Sequence, residues 1–368
     1  MNIAHLYIHI PFCVSKCNYC SFTSHPPQNG EIEFYLEHLK QELLLLKEEH
    51  NFMLDTLYIG GGTPTVIPPL LWQNLSDFLL KNLKFNANPE ITVEANPGTL
   101  RAEHIHIFRD TGVNRVSIGV QSFDDTELQM MGRAHTALQA HEAISACLAS
   151  GFHTSGDLIY SLPHQNFYSY ARSLKELVAS GVGHVSLYQL SLEQGTPWQN
   201  LPQDCMTDGY GEYRYSAWYL AKKGIFQYEI SNFARPNEES RHNTAYWTGR
   251  DYIGLGVSAA SFVQGKRYQN ICNIKQYAEM LQAHKLPVIT SEVLPKEKSA
   301  REAAVLLLRT SKGIQKEEFI SRFGKKSLDE IANKLKLFPS DFVLQDDCKI
   351  CLTKKGMRVA NLIWQEII

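Results

Sequence analysis

The chain has 368 residues, 44% hydrophobic and 20% charged, with 36 basic residues against 38 acidic ones. That length suits one large domain plus a smaller one, and the near balance of charge gives no sign of a nucleic-acid partner. No apolar run approaches the ~20 residues that span a bilayer. The N-terminus has no basic stretch ahead of an apolar one, and eight cysteines in so large a chain do not read as a disulfide framework, so a cytoplasmic protein is expected.

Strand-like runs follow one another at LYIHI (6–10), TLYIGG (56–61), ITVEAN (91–96), RVSIGV (115–120), DLIYSL (157–162) and HVSLYQL (184–190). Between them lie helical stretches such as FYLEHLKQELLLLKEE (34–49) and ALQAHEAISACLASG (137–151), whose apolar residues recur at three and four. The second ends on Gly151, a helix-stop residue. This alternation predicts an α/β fold, a parallel sheet with helices outside it, closed or partly closed into a barrel. Ligands of such sheets sit at the carboxyl ends of the strands. Cys13, Gly60 to Thr63, Glu94, Gln121 and Asp157 all stand at or near those ends, which predicts one shared site.

Near 291–299 (SEVLPKEKS) a short charged stretch reads as a linker, dividing the chain into 1–290 and 291–368. Beyond it come helical periods, then FVLQ and KICL around DDC as a hairpin, then a last helix near RVANLIWQEI. Helices followed by a hairpin resemble a winged-helix module. Its basic residues are mixed with Asp329, Glu330, Asp346 and Asp347, which favours a packing or lid role over DNA binding. Cys348 and Cys351 form a lone C-x-x-C and read as thiols.

Cys13, Cys17 and Cys20 follow the first strand as C-x3-C-x2-C. Soft thiolates on one loop suit zinc or an iron–sulfur cluster. Zinc would need a fourth ligand, such as His25, in a closed structural site. A four-iron cubane would keep one iron open.

YIHIPFCVSKCNYC followed by GGGTPT resembles the radical S-adenosylmethionine (SAM) superfamily, and within it the oxygen-independent coproporphyrinogen III oxidase group. The resemblance implies a partial (β/α)6-type barrel with a small C-terminal helical, winged-helix-like domain. It implies a [4Fe–4S] cluster on Cys13, Cys17 and Cys20, with SAM on the open iron, reduced by an electron donor. It places Gly61, Gly62, Thr63, Glu94, Gln121, Arg133 and Asp157 against SAM, with Tyr7 and Tyr19 beside it. The residue types make sense on their own: glycine admits close backbone approach, and a carboxylate accepts from ribose hydroxyls. Alone, each is also an ordinary turn, a strand-end acid or a core aromatic.

Two features separate subgroups. The oxidases carry a further cysteine two residues after the third, where this chain has Phe22, so porphyrinogen decarboxylation is not expected. Residues 241–247, RHNTAYW, resemble the H-N-x-x-Y-W string of HemW-type haem chaperones. That likeness implies haem as a ligand, with His242 as a candidate axial ligand and Tyr246 and Trp247 as flat partners. The implied partners are recipient haem proteins, respiratory ones among them. The competing readings are a coproporphyrinogen III oxidase and, further off, a zinc-stabilised barrel with a DNA-binding tail.

Overall fold

The computed structural model describes residues 2–368. Its main sheet begins with six strands in chain order, β1 (Asn2–Ile10), β2 (Asn51–Gly61), β3 (Lys84–Ala95), β4 (Arg115–Gln121), β5 (His153–Tyr160) and β6 (His184–Gln189), each parallel to the next. The crossovers carry α1 (Glu31–Glu49), α2 (Pro69–Asn82), α3 (Ala102–Asp110), α4 (Asp125–Met130), α5 (Ala137–Ala149) and α6 (Phe167–Ala179). After β6 come α7 (Tyr210–Lys222), β7 (Phe226–Gln227), β8 (Asn232–Ala234), α8 (Arg241–Trp247) and β9 (Ile253–Leu255). β8 runs antiparallel outside β6, with β7 beyond it, and β9 lies parallel outside β1. The sheet is therefore open at both edges, yet residues at the ends of β1 through β6 line one cavity. Such a meeting requires the sheet to curl, which makes the expected partly closed barrel.

Alternation on the strands explains the layers. In β1, Leu6, Ile8 and Ile10 are fully buried while Tyr7 faces the other side. α1 buries Tyr35, Leu36, Leu39, Leu43 and Leu46 on one helical stripe. The first three strands start earlier than the sequence reading placed them. In β2 the added turn of pattern is carried by Phe52 and Leu54, both buried. The fifth strand stops at Tyr160, short of the expected Leu162, because Ser161 adopts a φ of 60° and leaves the extended region.

A second, antiparallel sheet is made by β10 (Ala260–Val263), β11 (Lys266–Asn270) and β12 (Val288–Val293), with α9 (Ile274–Gln282) between the last two. Because Ser291, Glu292 and Val293 pair with β11, the linker expected over 291–299 shrinks to Leu294 and Pro295 before the next helix. That helix, α10 (Lys296–Leu308), opens a tail of β13 (Ile314–Gln315), α11 (Lys316–Phe323), α12 (Lys325–Leu335), β14 (Val343–Gln345), β15 (Lys349–Leu352), α13 (Lys354–Arg358) and α14 (Ala360–Ile367). The expected hairpin is β14–β15, with β13 on its other side, and Ala304, Leu308, Phe319, Ile331 and Ile363 centre a separate apolar cluster. The tail is fastened to the barrel by Arg309. Its Nε donates to Glu229 Oε2 at 2.6 Å, Nη2 donates to Ser231 Oγ at 3.0 Å, and the guanidinium lies 4.3 Å from the Trp247 ring centre. Among the described residues no helix is long and apolar enough to cross a membrane.

Candidate cofactor cavity

The cysteine loop is built by backbone bonds at three places. Gly62 N donates to Ile10 O at 2.8 Å and Thr63 N to Phe12 O at 2.7 Å, stitching the end of β2 to the exit of β1. His25 N donates to Pro11 O at 2.9 Å and Cys13 N to His25 O at 3.1 Å, so the loop closes on itself. Its tip is held by Asn18, whose N donates to Met131 O at 3.0 Å and whose Nδ2 donates to Met130 O at 2.9 Å, both at the carboxyl end of α4. The three thiols are half-buried and unbridged. Thr63 Oγ1 lies 3.5 Å from Cys13 Sγ, and Arg133 Nη1 3.6 Å from Cys17 Sγ.

His25, the fourth ligand of the zinc reading, is engaged elsewhere: Nε2 lies 3.0 Å from Glu31 Oε1. Among the described residues no three His, Cys, Asp or Glu side chains converge closely enough for a single metal ion. Three soft thiolates gathered on one loop suit an iron–sulfur cluster.

Above the loop lies a cavity of about 490 Å³. Its floor is the glycine turn, and two of the glycines are required there. Gly61 has φ 115°, and a Cβ on Gly62 would sit 2.6 Å from Phe12 O and 3.0 Å from Cys13 Sγ. Glu94 accepts from Tyr58 Oη at 2.7 Å and from Gly61 N at 2.9 Å. Burial raises its pKa, and those two donors oppose the rise. Asp157, open to the cavity but ringed by barrel wall, is pushed up to about 7 by burial; the nearby Glu94 adds to this, while Ser186 and Ser117 hydroxyls and Arg133 oppose it. Gln121 takes a φ of 66° where the β4–β5 register shifts, and its Oε1 is buried without a partner. Arg133 donates through Nη2 to Gly119 O at 2.6 Å, while its Nε has no partner. Unsatisfied buried polar atoms beside a cradle too tight for a Cβ fit a polar ligand that completes them.

The cavity thus gathers Cys13, Cys17, Tyr19, Cys20, Gly61, Gly62, Thr63, Glu94, Gln121, Arg133 and Asp157 from across 145 positions of sequence. Tyr7 is not in its lining. Its Oη meets His9 Nδ1 at 3.0 Å, and its ring stacks on Tyr58 with centres 6.1 Å apart, so it reaches Glu94 only through Tyr58. Phe22 stands at the mouth, 65% exposed.

His242 is elsewhere. It is 1% exposed, with Nδ1 2.7 Å from Thr56 Oγ1 and Nε2 2.7 Å from Tyr246 Oη. Thr56 is the sixth of the eleven residues of β2 and precedes Gly61 by five, about 17 Å of strand, so His242 lies inside the barrel below the glycine turn, its ring stacked on Tyr58 with centres 5.1 Å apart while Tyr58 donates to Glu94. Burial, with His5 adding to it, lowers the imidazole pKa to about 3. With both ring nitrogens engaged and 1% of its surface exposed, His242 is packed into the barrel interior and lies outside the cavity that gathers the other predicted residues. Trp247 of the same string packs under Arg309, and Tyr246 against Tyr252 with ring centres 4.4 Å apart.

Sequence reasoning missed Ser117, Gly119 and Tyr188, which also line the cavity. The signal was there for two of them. In RVSIGV the residues Val116, Ile118 and Val120 are fully buried, which leaves Ser117 and Gly119 on the inward face.

Residues 7–177 match the Radical SAM superfamily model and residues 294–359 the HemN C-terminal domain model. The heme chaperone HemW of Lactococcus lactis is 33% identical over 98% of this chain and 96% of its own length. That of Bacillus subtilis is 34% identical over 95% and 91%. Coproporphyrinogen III oxidase (HemN) from Escherichia coli shares the fold with a TM-score of 0.87 at 23% identity, over 99% of this chain and 90% of that one. Similarity that runs almost end to end at one residue in three places the barrel and tail in a single lineage, and the chain belongs to the radical SAM family of proteins named heme chaperone HemW.

Proposed function

We propose that this chain is a haem chaperone, which binds haem and passes it to recipient haem proteins, respiratory ones among them, on a radical SAM scaffold. The observation that carries the reading is the nearly full-length identity to two HemW proteins. It is supported by Phe22, whose phenyl group offers neither a proton nor a metal ligand at the place of the oxidase cysteine. The likeness to the oxidase, at 23% identity, carries the fold alone.

In this reading Cys13, Cys17 and Cys20 hold a [4Fe–4S] cluster. Gly61, Gly62 and Thr63 give backbone approach to SAM, Glu94, Asp157 and the Gln121 Oε1 accept its donors, Arg133 meets its acceptors, and Tyr19 packs beside it. Tyr7 acts from behind, by fixing Tyr58 and so the direction of Glu94. When bound, cluster and SAM supply one-electron chemistry, and an electron donor would approach at the mouth where Val14 and Phe22 are exposed. The division near 290 into barrel with its extension and helical tail is supported by the separate apolar clusters, one running from Ile3 to Leu281 and one from Ala300 to Ile367. A cytoplasmic setting fits three thiols kept reduced.

Anaerobically reconstituted protein tests the function. The expected result is a broad iron–sulfur absorption, a Soret band on haem addition, and no divinyl product from coproporphyrinogen with SAM and a reductant. Multiple turnovers to that product would restore the oxidase reading.

A further inference from the structure

A haem chaperone needs a place for haem that the ligand can reach. The cavity over the cysteines has the residues of a cofactor site, and the imidazole of RHNTAYW is packed into the barrel interior. A different surface has the right chemistry. Between α6, α7 and the tail helix α13 runs an open groove of about 930 Å³.

Its apolar wall is aromatic. On α7, Tyr213, Ala217 and Leu220 turn to the core, which leaves Arg214, Trp218 and Lys222 in an outward stripe at steps of four. Trp218 is 52% exposed, an unusual cost for so large an apolar ring on a surface with no other assigned use. Tyr215 meets Phe167 edge to face with centres 5.2 Å apart and lies 5.8 Å from Trp218. The rim is cationic. Lys222 Nζ sits 4.0 Å from the Trp218 ring centre, and α13 contributes Lys354 and Arg358 one turn apart. Arg358 Nε is buried without a partner. No aspartate or glutamate lines the groove among the described residues.

Flat aromatic walls with four cations and no acid complement one kind of ligand, a planar apolar ring carrying two carboxylates at its edge. We propose that haem seats in this groove, its ring against Trp218, Phe167 and Tyr215 and its propionates toward Arg214, Lys222, Lys354 and Arg358. The proposal rests on the haem-chaperone reading and gives it a site that lies on both the barrel and the tail.

The test uses the reconstituted full chain, titrated with haem and followed by the Soret band and by quenching of tryptophan emission. Lys222→Glu with Lys354→Glu should weaken haem binding about tenfold, the sum of two exposed charge contacts, and Trp218→Ala should weaken it several-fold. Iron content and SAM affinity should match the parent in both, which shows the variants folded. Haem dimethyl ester should bind the parent about tenfold more weakly than haem, with no further loss in the charge variant. Equal haem affinity in parent and both variants overturns the groove and leaves the chaperone reading standing. Failure of the parent to bind haem overturns both. Loss of binding to phosphatidylserine vesicles with haem affinity intact would make the face a lipid contact and overturn the proposal.

Discussion

The two halves of the barrel are lined by similar residues put to opposite uses. In the lower half of the barrel, where Thr56 of β2 pairs with Glu90 of β3, Glu90 accepts from Arg115 Nε at 3.1 Å, Arg241 N at 3.0 Å and His242 N at 2.9 Å, and His242 spends both ring nitrogens on Thr56 and Tyr246. At the carboxyl ends Gln121 Oε1 and Arg133 Nε are buried without partners, and the carboxyls of Glu94 and Asp157 are pushed up by burial. Satisfaction alone does not separate structure from site, since His184 Nδ1 and Trp247 Nε1 are also buried without partners; what marks the site is that the unsatisfied atoms of Gln121 and Arg133 line an open cavity.

Removing groups in the two halves should have different consequences. The largest concerns the open end: replacing Cys13, Cys17 and Cys20 together with alanine should abolish about four irons per chain, read by iron and sulfide assay, with the thermal transition of the cluster-free protein retained. In the lower half Glu90→Ala should cost roughly 3–5 kcal/mol in denaturant unfolding, because Arg115, 4% exposed, keeps a buried charge without its carboxylate. Equal stability of that variant and the parent would show that the Glu238 and Glu239 carbonyls, to which Arg115 also donates, suffice.

Glu94→Ala returns to the open end. It should weaken SAM by roughly 1.5–3 kcal/mol in calorimetric titration, the range for a hydrogen bond to a charged group. His242→Ala should do the reverse, costing about 2 kcal/mol of stability through the lost contact with Tyr246 and the cavity left behind, while the Soret band of bound haem stays in place. A shifted Soret band would give His242 the ligand role.

The smallest effect is on pH. The folded pKa of Asp157 stands at about 7 against an ordinary 3.8, so the native state holds the extra proton between those values. Its contribution is fully favourable below pH 4 and stability falls as pH rises toward 7. The cavity's access to water trims the effect to on the order of 1–2 kcal/mol. The difference between parent and Asp157→Asn unfolding curves across that window isolates it; parallel curves would place the Asp157 pKa at its ordinary value.

Periodicity and spacing made the barrel, the cysteine loop and the glycine turn legible from the sequence, because each depends on neighbours a few residues away. Alternation determines which side of a strand is buried, C-x3-C-x2-C keeps three thiols on one loop, and a glycine turn at a strand end admits close approach wherever the strand goes. The winged-helix-like tail was legible for the same reason. The early starts of β2 and β3, the absorption of Ser291 to Val293 into a sheet, and the end of β5 at Ser161 were decided by pairing with strands distant in the chain or by one residue's backbone conformation. The fate of His242 was decided in the same way. Nothing within RHNTAYW says that Thr56 waits 186 positions earlier to take its Nδ1, or that Glu90 holds the start of its helix. The string determined that an imidazole and two aromatics travel together on one short helix. Only the curl of the sheet decided that they would pack into the barrel, since burial and the satisfaction of polar groups are properties of what surrounds a residue and not of the residue itself.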